Sequence, residues 1–371
     1  MSLRALCVIV IVCSLLDLSE AACAKAAKKK GRVTRLDNCN SSILDDDIRG
    51  HLESTMATTI VPSFYSIVFI LGLPANGIAL WVLVFKAKKI PSTLLLMNLA
   101  AADLLFMLAL PFKITYHFLG NNWIFGEALC RIVTAVFYGN MYCSVFFLTV
   151  ISVDRYFALV HPFWSKGVRS WRSSTAISIG IWLVVIAGVS MFLFVPQTKT
   201  FTSPGITTCH EIWPHCKGYE WYTNYFIVLF IVGYVIPLVA ILFSYVPILV
   251  TLATNRESHR HVIRLIILVL LMFILCFTPS NILLILHYLE TDWDCHNQLY
   301  IWYTVALSLT SFNSCIDPFI YYYISNDFWV MVKDTLCINK EGNSESSEST
   351  KRTRIPCSSD NKEMVRRTDA Y

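Results

Sequence analysis

Seven long apolar stretches, separated by short polar intervals, dominate the chain: roughly 61–85, 93–119, 128–159, 171–195, 221–252, 262–288 and 299–324. Each is long enough to cross a hydrocarbon layer about 30 Å thick, which takes about 20 helical residues. Backbone polar groups have no water to turn to in hydrocarbon, so each stretch is predicted to be a helix that closes its own hydrogen bonds. Pro74, Pro111, Pro237, Pro279 and Pro318 fall inside the stretches and are expected to kink them. The pattern predicts an all-α membrane protein, a seven-transmembrane helix bundle.

The polar intervals give the bundle an orientation. Intervals after helices one, three and five carry Lys86, Lys88, Lys89, Lys166, Arg169, Arg172, Arg256 and Arg260. The others carry Lys199 and Lys217 beside Glu127, Glu290, Asp292 and Asp294. The basic set belongs in the cytoplasm, and an odd number of spans then puts the N-terminus outside. The N-terminus agrees: Arg4, a short apolar run and an alanine-rich site read as a signal peptide over 1–24. Residues 25–60 are polar and read as a flexible exodomain, basic from Lys25 to Arg35 and acidic from Asp45 onward, with a glycosylation sequon at Asn40. The bundle spans 61–325. A short amphipathic eighth helix is expected on the membrane surface over 326–337, ending at Cys337, a thiol placed for palmitoylation. A polar cytoplasmic tail, 338–371, interleaves serines with acids in a pattern that suits a kinase.

Composition reinforces this picture. Of 371 residues 56% are hydrophobic and only 15% charged, against the roughly 25% that a soluble chain uses to face water. The net charge of +5 resides in the loops and tails and implies no nucleic acid. Among thirteen cysteines none forms a CxxC pair. Cys130, at the start of helix three, and Cys209, between helices four and five, are placed to tie that loop across the outer end of the bundle. Cys39, Cys216 and Cys295 leave further pairings open.

Charged groups at membrane depth carry the chemistry. Asp103 in helix two and Asp317 in helix seven, with Asn76, Ser144 and Asn313, form a candidate polar core suited to a sodium-like monovalent cation or to a shared proton; no other cofactor or metal is expected. Asp154-Arg155-Tyr156 ends helix three, where the arginine pairs with its neighbouring acid when the bundle is closed and engages an intracellular partner when released.

These residues resemble a known family. The seven spans, Asp154-Arg155-Tyr156, Asp317-Pro318-Phe319-Ile320-Tyr321 and the Cys130/Cys209 pair are similar to rhodopsin-class G-protein-coupled receptors. Asp317 stands where most of that class has asparagine, and Phe277 where it has tryptophan. Leu73-Pro74-Ala75-Asn76-Gly77, Cys209-His210-Glu211 and Phe277-Thr278-Pro279-Ser280-Asn281 are similar to the protease-activated receptors, and the run Asn313-Ser314-Cys315-Ile316-Asp317-Pro318-Phe319-Ile320-Tyr321-Tyr322 is similar to their trypsin-responsive branch.

That resemblance implies a mechanism. A trypsin-like serine protease cuts after Arg32, with Arg35 as the rival site, and frees a tethered agonist, Val33-Thr34-Arg35-Leu36-Asp37-Asn38. Its new ammonium would meet Glu211, or else Asp292 or Asp294, above an aromatic floor of Tyr138, Tyr288, Tyr300 and Tyr303 with His210. The signal would pass through Phe273, Phe277 and Pro279 of helix six, with Tyr245, Pro318 and Tyr321 following, until Arg155 meets a heterotrimeric G protein, expected to be of the Gq class. Arrestin and a receptor kinase would act at the tail, and membrane lipids would surround the whole. The rival reading is a receptor of the same class for a diffusible nucleotide-like, lipid or carboxylate ligand, for which Lys113 and His117 would serve. A transporter would need inverted repeats and an enzyme a catalytic pair, and neither pattern is present.

Overall fold

The computed structural model describes residues 49–50, 52–161, 169–202, 205–210, 220–252, 260–289, 293–324 and 331–332. The signal peptide, the cleavage region from Arg32 to Asn38, Asn40, Glu211, Asp292, Cys337 and the tail lie outside those residues.

Six helices among the described residues are long and apolar enough to cross a membrane. The bundle comprises α1 (Met56–Phe85), α2 (Pro91–Phe118), α3 (Gly126–Val160) and α4 (Trp171–Phe194). Helix α5 joins Glu220–Phe230 to Ile236–Leu252, and α6 joins Arg260–Met272 to Thr278–Leu289. Helix α7 is interrupted: Trp293–Thr310 and Asn313–Ile324 are separate helical pieces joined by a turn at Ser311 and Phe312. Between α4 and α5 a two-stranded antiparallel hairpin forms, β1 (Thr198–Thr200) against β2 (Thr207–Cys209), with Thr198 opposite Cys209. Met331 and Val332 are helical, and Val332 is packed into the main core cluster; the rest of the expected eighth helix lies outside the described residues.

Prolines shape the spans in a way that hydropathy does not announce. Three π-helical turns, Met56–Ile60, Ile231–Val235 and Phe273–Phe277, each end two residues before a proline: Pro62, Pro237 and Pro279. The residue just before each proline (Val61, Ile236, Thr278) donates its N–H five residues back, to Met56, Ile231 and Phe273. A proline lacks the N–H and its ring crowds the carbonyl four residues back, so widening the preceding turn relieves the clash while keeping the ladder closed. The first of these turns extends α1 five residues outward of its apolar stretch, into the segment expected to be flexible. At Pro318 the solution differs. The carbonyl of Ser314, which no proline N–H can reach, accepts the side chain of Asn76 in α1 (2.7 Å).

The core runs along the bundle axis and is centred on α3, where Tyr138, Phe147, Leu148 and Ile151 are buried. Large apolar side chains such as Leu183, Val239, Phe243 and Phe319 remain exposed, as expected of faces that meet lipid.

Candidate functional site

The outer mouth is built on the hairpin. Cys130, in the first turns of α3, is disulfide-bonded to Cys209, with 5.8 Å between their Cα atoms. A second clamp sits one turn earlier. The Glu127 carboxylate accepts hydrogen bonds from Arg131 Nε (2.5 Å), from the backbone N–H of Gln197 (2.7 Å) and of Thr198 (2.8 Å), and from the Thr198 hydroxyl. Together they fix the hairpin over the bundle.

This fixed hairpin aims His210 inward. His210 takes the left-handed backbone region (φ 59°), and its ring bridges Gln197 Oε1 (2.7 Å) and the Tyr138 hydroxyl (3.0 Å). Desolvation, aided by the nearby Lys113 ammonium, lowers the His210 pKa to about 3, so the ring is neutral at pH 7. Neutral imidazole has one donor and one acceptor, and the neighbours decide which is which. Gln197 Nε2 donates to the Val195 carbonyl (3.0 Å), turning its Oε1 to the ring. Nδ1–H of His210 therefore donates to Gln197, and Nε2 accepts from Tyr138. The Tyr138 oxygen in turn accepts from the Tyr303 hydroxyl at 2.6 Å. Tyr138 also stacks on Phe192, with ring centroids 4.7 Å apart.

Of the residues expected to form an aromatic floor, the structure thus joins Tyr138, Tyr303 and His210. Tyr288 and Tyr300 lie on α6 and α7, with side chains outside the described residues. Gln197, Phe192 and Tyr65 join the mouth without having been expected there, and His117, expected only for a diffusible carboxylate, joins them; of the first three, Gln197 is the one whose polarity best flags it. Below the network lies a cavity of about 30 Å³ reached by Tyr65, Lys113, His117, Phe137, Tyr138 and Tyr303. That is room for about one water, so a peptide side chain enters only if the mouth opens. On the hairpin's outer strand, burial against Phe201 (Nζ 5.2 Å from the ring) lowers the Lys199 pKa.

The mouth also receives the end of the N-terminal segment. Leu52 is buried against Phe201 and Ile206 of the hairpin, and its carbonyl accepts Asn121 Nδ2 (2.6 Å). Asn121 Oδ1 lies 2.6 Å from His117 Nδ1, and the His117 ring stacks on Tyr65, with centroids 5.9 Å apart. The segment outside α1 is therefore anchored ten residues earlier than Pro62, where the polar pattern places its root.

Deeper, the polar core assembles. Asp103 Oδ1 accepts from Asn140 (2.9 Å), which no charge or motif had marked, and from Ser314 (2.7 Å), which stood in a family-like run with no role of its own. Asp317 is fully buried in the same core as Asp103. Asp103 Oδ2, both Asp317 oxygens and Ser144 Oγ are buried and receive no hydrogen from a described donor. Oxygen ligands left over at such depth fit a small cation or a proton held between the two acids. Asn76 Nδ2 donates to the Gly72 and Ser314 carbonyls, and its Oδ1 is likewise buried without a described donor. Asn313 Nδ2 is buried there without an acceptor among the described residues.

At the inner end the expected ion pair is present but long, and a second arginine holds the acid more tightly. Arg155 Nη2 stays 3.7 Å from Asp154 Oδ2, whereas Arg169 grips the same carboxylate at 2.6 and 2.9 Å. Successive residues on a helix point in different directions, so adjacency in the chain alone does not bring a hydrogen bond. Tyr245 is buried beside Arg155 and shares a 2.6 Å hydrogen bond with Ser152. Tyr156 turns outward to His161 (3.1 Å). Phe273 and Phe277 bracket the π-turn of α6, with centroids 5.3 Å apart.

Comparison with known proteins places this architecture among relatives. Residues 75–321 match the 7 transmembrane receptor (rhodopsin family) profile. The chain is 42% identical to proteinase-activated receptor 3 of Homo sapiens over 279 residues, 74% of each chain. It is 42% identical to proteinase-activated receptor 4 of Rattus norvegicus over 79% of this chain and 74% of the relative. Proteinase-activated receptor 2 of Bos taurus is 41% identical over 77% of this chain and 74% of its own.

Proposed function

Because the chain belongs to the proteinase-activated receptors of the rhodopsin family, we propose that a trypsin-like protease cuts it after Arg32 and that the new N-terminus, beginning at Val33, is its agonist. As a member of that family it is a multi-pass plasma-membrane receptor that signals to heterotrimeric G proteins and is not an enzyme. The observation that carries the proposal is the seat of Leu52 on the hairpin, which brings the exodomain's end to the rim of the mouth.

From that anchor the arithmetic favours a tethered ligand. About 14 residues separate Asn38 from Leu52, and a flexible linker of that length has a root-mean-square span of roughly 20 Å. The ligand stays within reach of the mouth at an effective concentration in the millimolar range, so modest intrinsic affinity suffices. Cleavage creates an ammonium at Val33, for which Glu211 is the nearest acid in sequence to His210. Insertion would part the Tyr303–Tyr138–His210 chain, and the π-turn of α6 gives the inner half of that helix a place to swing. Coupling through the Gq class, arrestin and kinase action on the serines of 338–371, glycosylation at Asn40, palmitoylation at Cys337, the outside N-terminus and occupancy of the Asp103/Asp317 core by Na+ complete the reading.

The test is calcium mobilisation in cells expressing the receptor, before and after trypsin. Arg32→Ala is expected to abolish the trypsin response and spare the response to a synthetic Val33–Asn38 peptide. Equal trypsin responses would move the cut elsewhere, with Arg35→Ala next. The second reading, a diffusible carboxylate ligand, is favoured by Lys113 at the cavity wall; it predicts a silent peptide and a response that needs no protease.

A further inference from the structure

The inner ends of three helices meet on one carboxylate. Arg169 stands immediately before Ser170, whose hydroxyl caps α4 by accepting the Ser173 N–H (3.1 Å), so its backbone is set by the start of that helix. From there its guanidinium takes Asp154 as a fork: Nε to Oδ1 at 2.6 Å and Nη2 to Oδ2 at 2.9 Å. Ser92, fully buried in the first turn of α2, donates to the same Oδ2 (2.9 Å) and also receives Arg169 Nη2 (3.2 Å). A bidentate arginine plus a hydroxyl satisfies a carboxylate well.

Arg155 keeps only a long ion pair with the same acid. Its Nη2 approaches Asp154 no closer than 3.7 Å, and Nε and Nη2 are buried with no hydrogen-bond acceptor among the described residues. A guanidinium held this way is costly, and an array of carbonyls relieves it. The last turn of a helix, with its unsatisfied carbonyls, is such an array.

We infer that Arg169 is a positioning residue for G-protein engagement: by taking the hydrogen bonds of Asp154 from the side of α4, it holds Arg155 to a long ion pair and leaves its N–H groups for the carbonyl-bearing end of a Gα helix. Activation then need not begin by breaking an Asp154–Arg155 bond. The inference rests on G-protein coupling alone and holds whether the agonist is tethered or diffusible.

The experiment uses the full-length receptor in lipid nanodiscs with a purified heterotrimer of each Gα class, and reads receptor-dependent uptake of a GTP analogue before and after trypsin. With the class that responds best, Arg169→Gln is expected to lower exchange roughly tenfold, the scale of one charge-assisted contact, and Arg169→Lys to recover part of it. Asp154→Asn should raise basal exchange. In the Asp154→Asn background, adding Arg169→Gln should change exchange by less than about twofold, because the carboxylate under contest is gone. If Arg169→Gln does not fold, Ser92→Ala, which loosens the same carboxylate, is put through the same cycle with the same expected sign. Equal losses with and without Asp154, no loss at all, or no exchange from the unaltered receptor with any class would each overturn the inference.

Discussion

Asn121 donates its side-chain amide to the carbonyl of Leu52 at 2.6 Å, and so fastens the N-terminal segment to the outer end of α2. The same Asn121 holds His117, which lines the cavity beside Tyr65. Anchorage of the exodomain and the shape of the pocket are thus one hydrogen-bonded unit. Asn121 itself takes the left-handed region (φ 60°), which asparagine tolerates better than most residues.

This unit separates tethered from soluble agonism. Asn121→Ala or Leu52→Asp frees the anchor and lengthens the effective linker from about 14 residues toward about 24 at Pro62, which lowers the effective concentration only about twofold. The larger effect is lost guidance to the hairpin. The trypsin dose–response should shift right by about threefold to tenfold in Leu52→Asp, while the synthetic peptide's potency changes less. Calcium traces for both stimuli on one cell line check it; equal shifts would mean that the pocket, not the anchor, was damaged.

The spans were legible in the sequence because hydrocarbon leaves a chain little choice: apolar runs of helical length reproduce six described spans to within a few residues. The interruption of α7 and the three π-turns were not legible. Proline marks where a ladder hydrogen bond is missing, but whether a π-turn or a distant side chain such as Asn76 makes up the loss depends on what packs alongside. Asp103 and Asp317 stood out because charge at depth is rare. Asn140 and Ser314 did not, since a helix carries polar residues on any face and only the bundle decides which one meets an acid. Arg169 was counted as one more loop cation; its partner lies 15 residues back and became visible only once α3 and α4 were side by side.

The neutral ring of His210 gives the mouth a pH dependence. Its pKa is about 3 in the folded protein and about 6.5 when exposed, so between these values the unfolded or opened state binds more protons. Stability from the partly buried ring is fully present above about pH 6.5 and declines as pH falls, with at most about 2 kcal/mol lost by pH 5. Thermal denaturation in nanodiscs at pH 7.5, 6 and 5 should show a falling midpoint, and His210→Gln should flatten that slope.

Gly233 lies in the π-turn of α5, directly against the Tyr142 ring. A Cβ placed there would stand 2.6 Å from Tyr142 Cδ1 and closer still to Cε1. The ring is held on α3 in a buried position and cannot step aside without disturbing its neighbours. Gly233→Ala is expected to cost about 1–3 kcal/mol by overpacking, against a small gain from helix propensity. Gly77, with open space around it, provides the control: Gly77→Ala should leave the melting midpoint unchanged or slightly raised.

The Asp103/Asp317 core distinguishes a bound cation from a shared proton by which variable stabilises it. Asp103 Oδ2, the Asp317 oxygens and Ser144 Oγ have no donor among the described residues; a cation held by them would need each carboxylate. Replacing choline with sodium at constant ionic strength should raise the melting midpoint of the uncleaved receptor, in line with ligand linkage. Asp317→Asn and Asp103→Asn should each abolish that sodium response, and Ser144→Ala should weaken it. A proton shared between the acids predicts the opposite pattern: no sodium dependence, and a midpoint that rises as pH falls until one proton is fully bound. Asp317→Asn is the decisive variant, because an amide can donate to Asp103 and so replace the proton, whereas it removes the second negative charge that a cation needs.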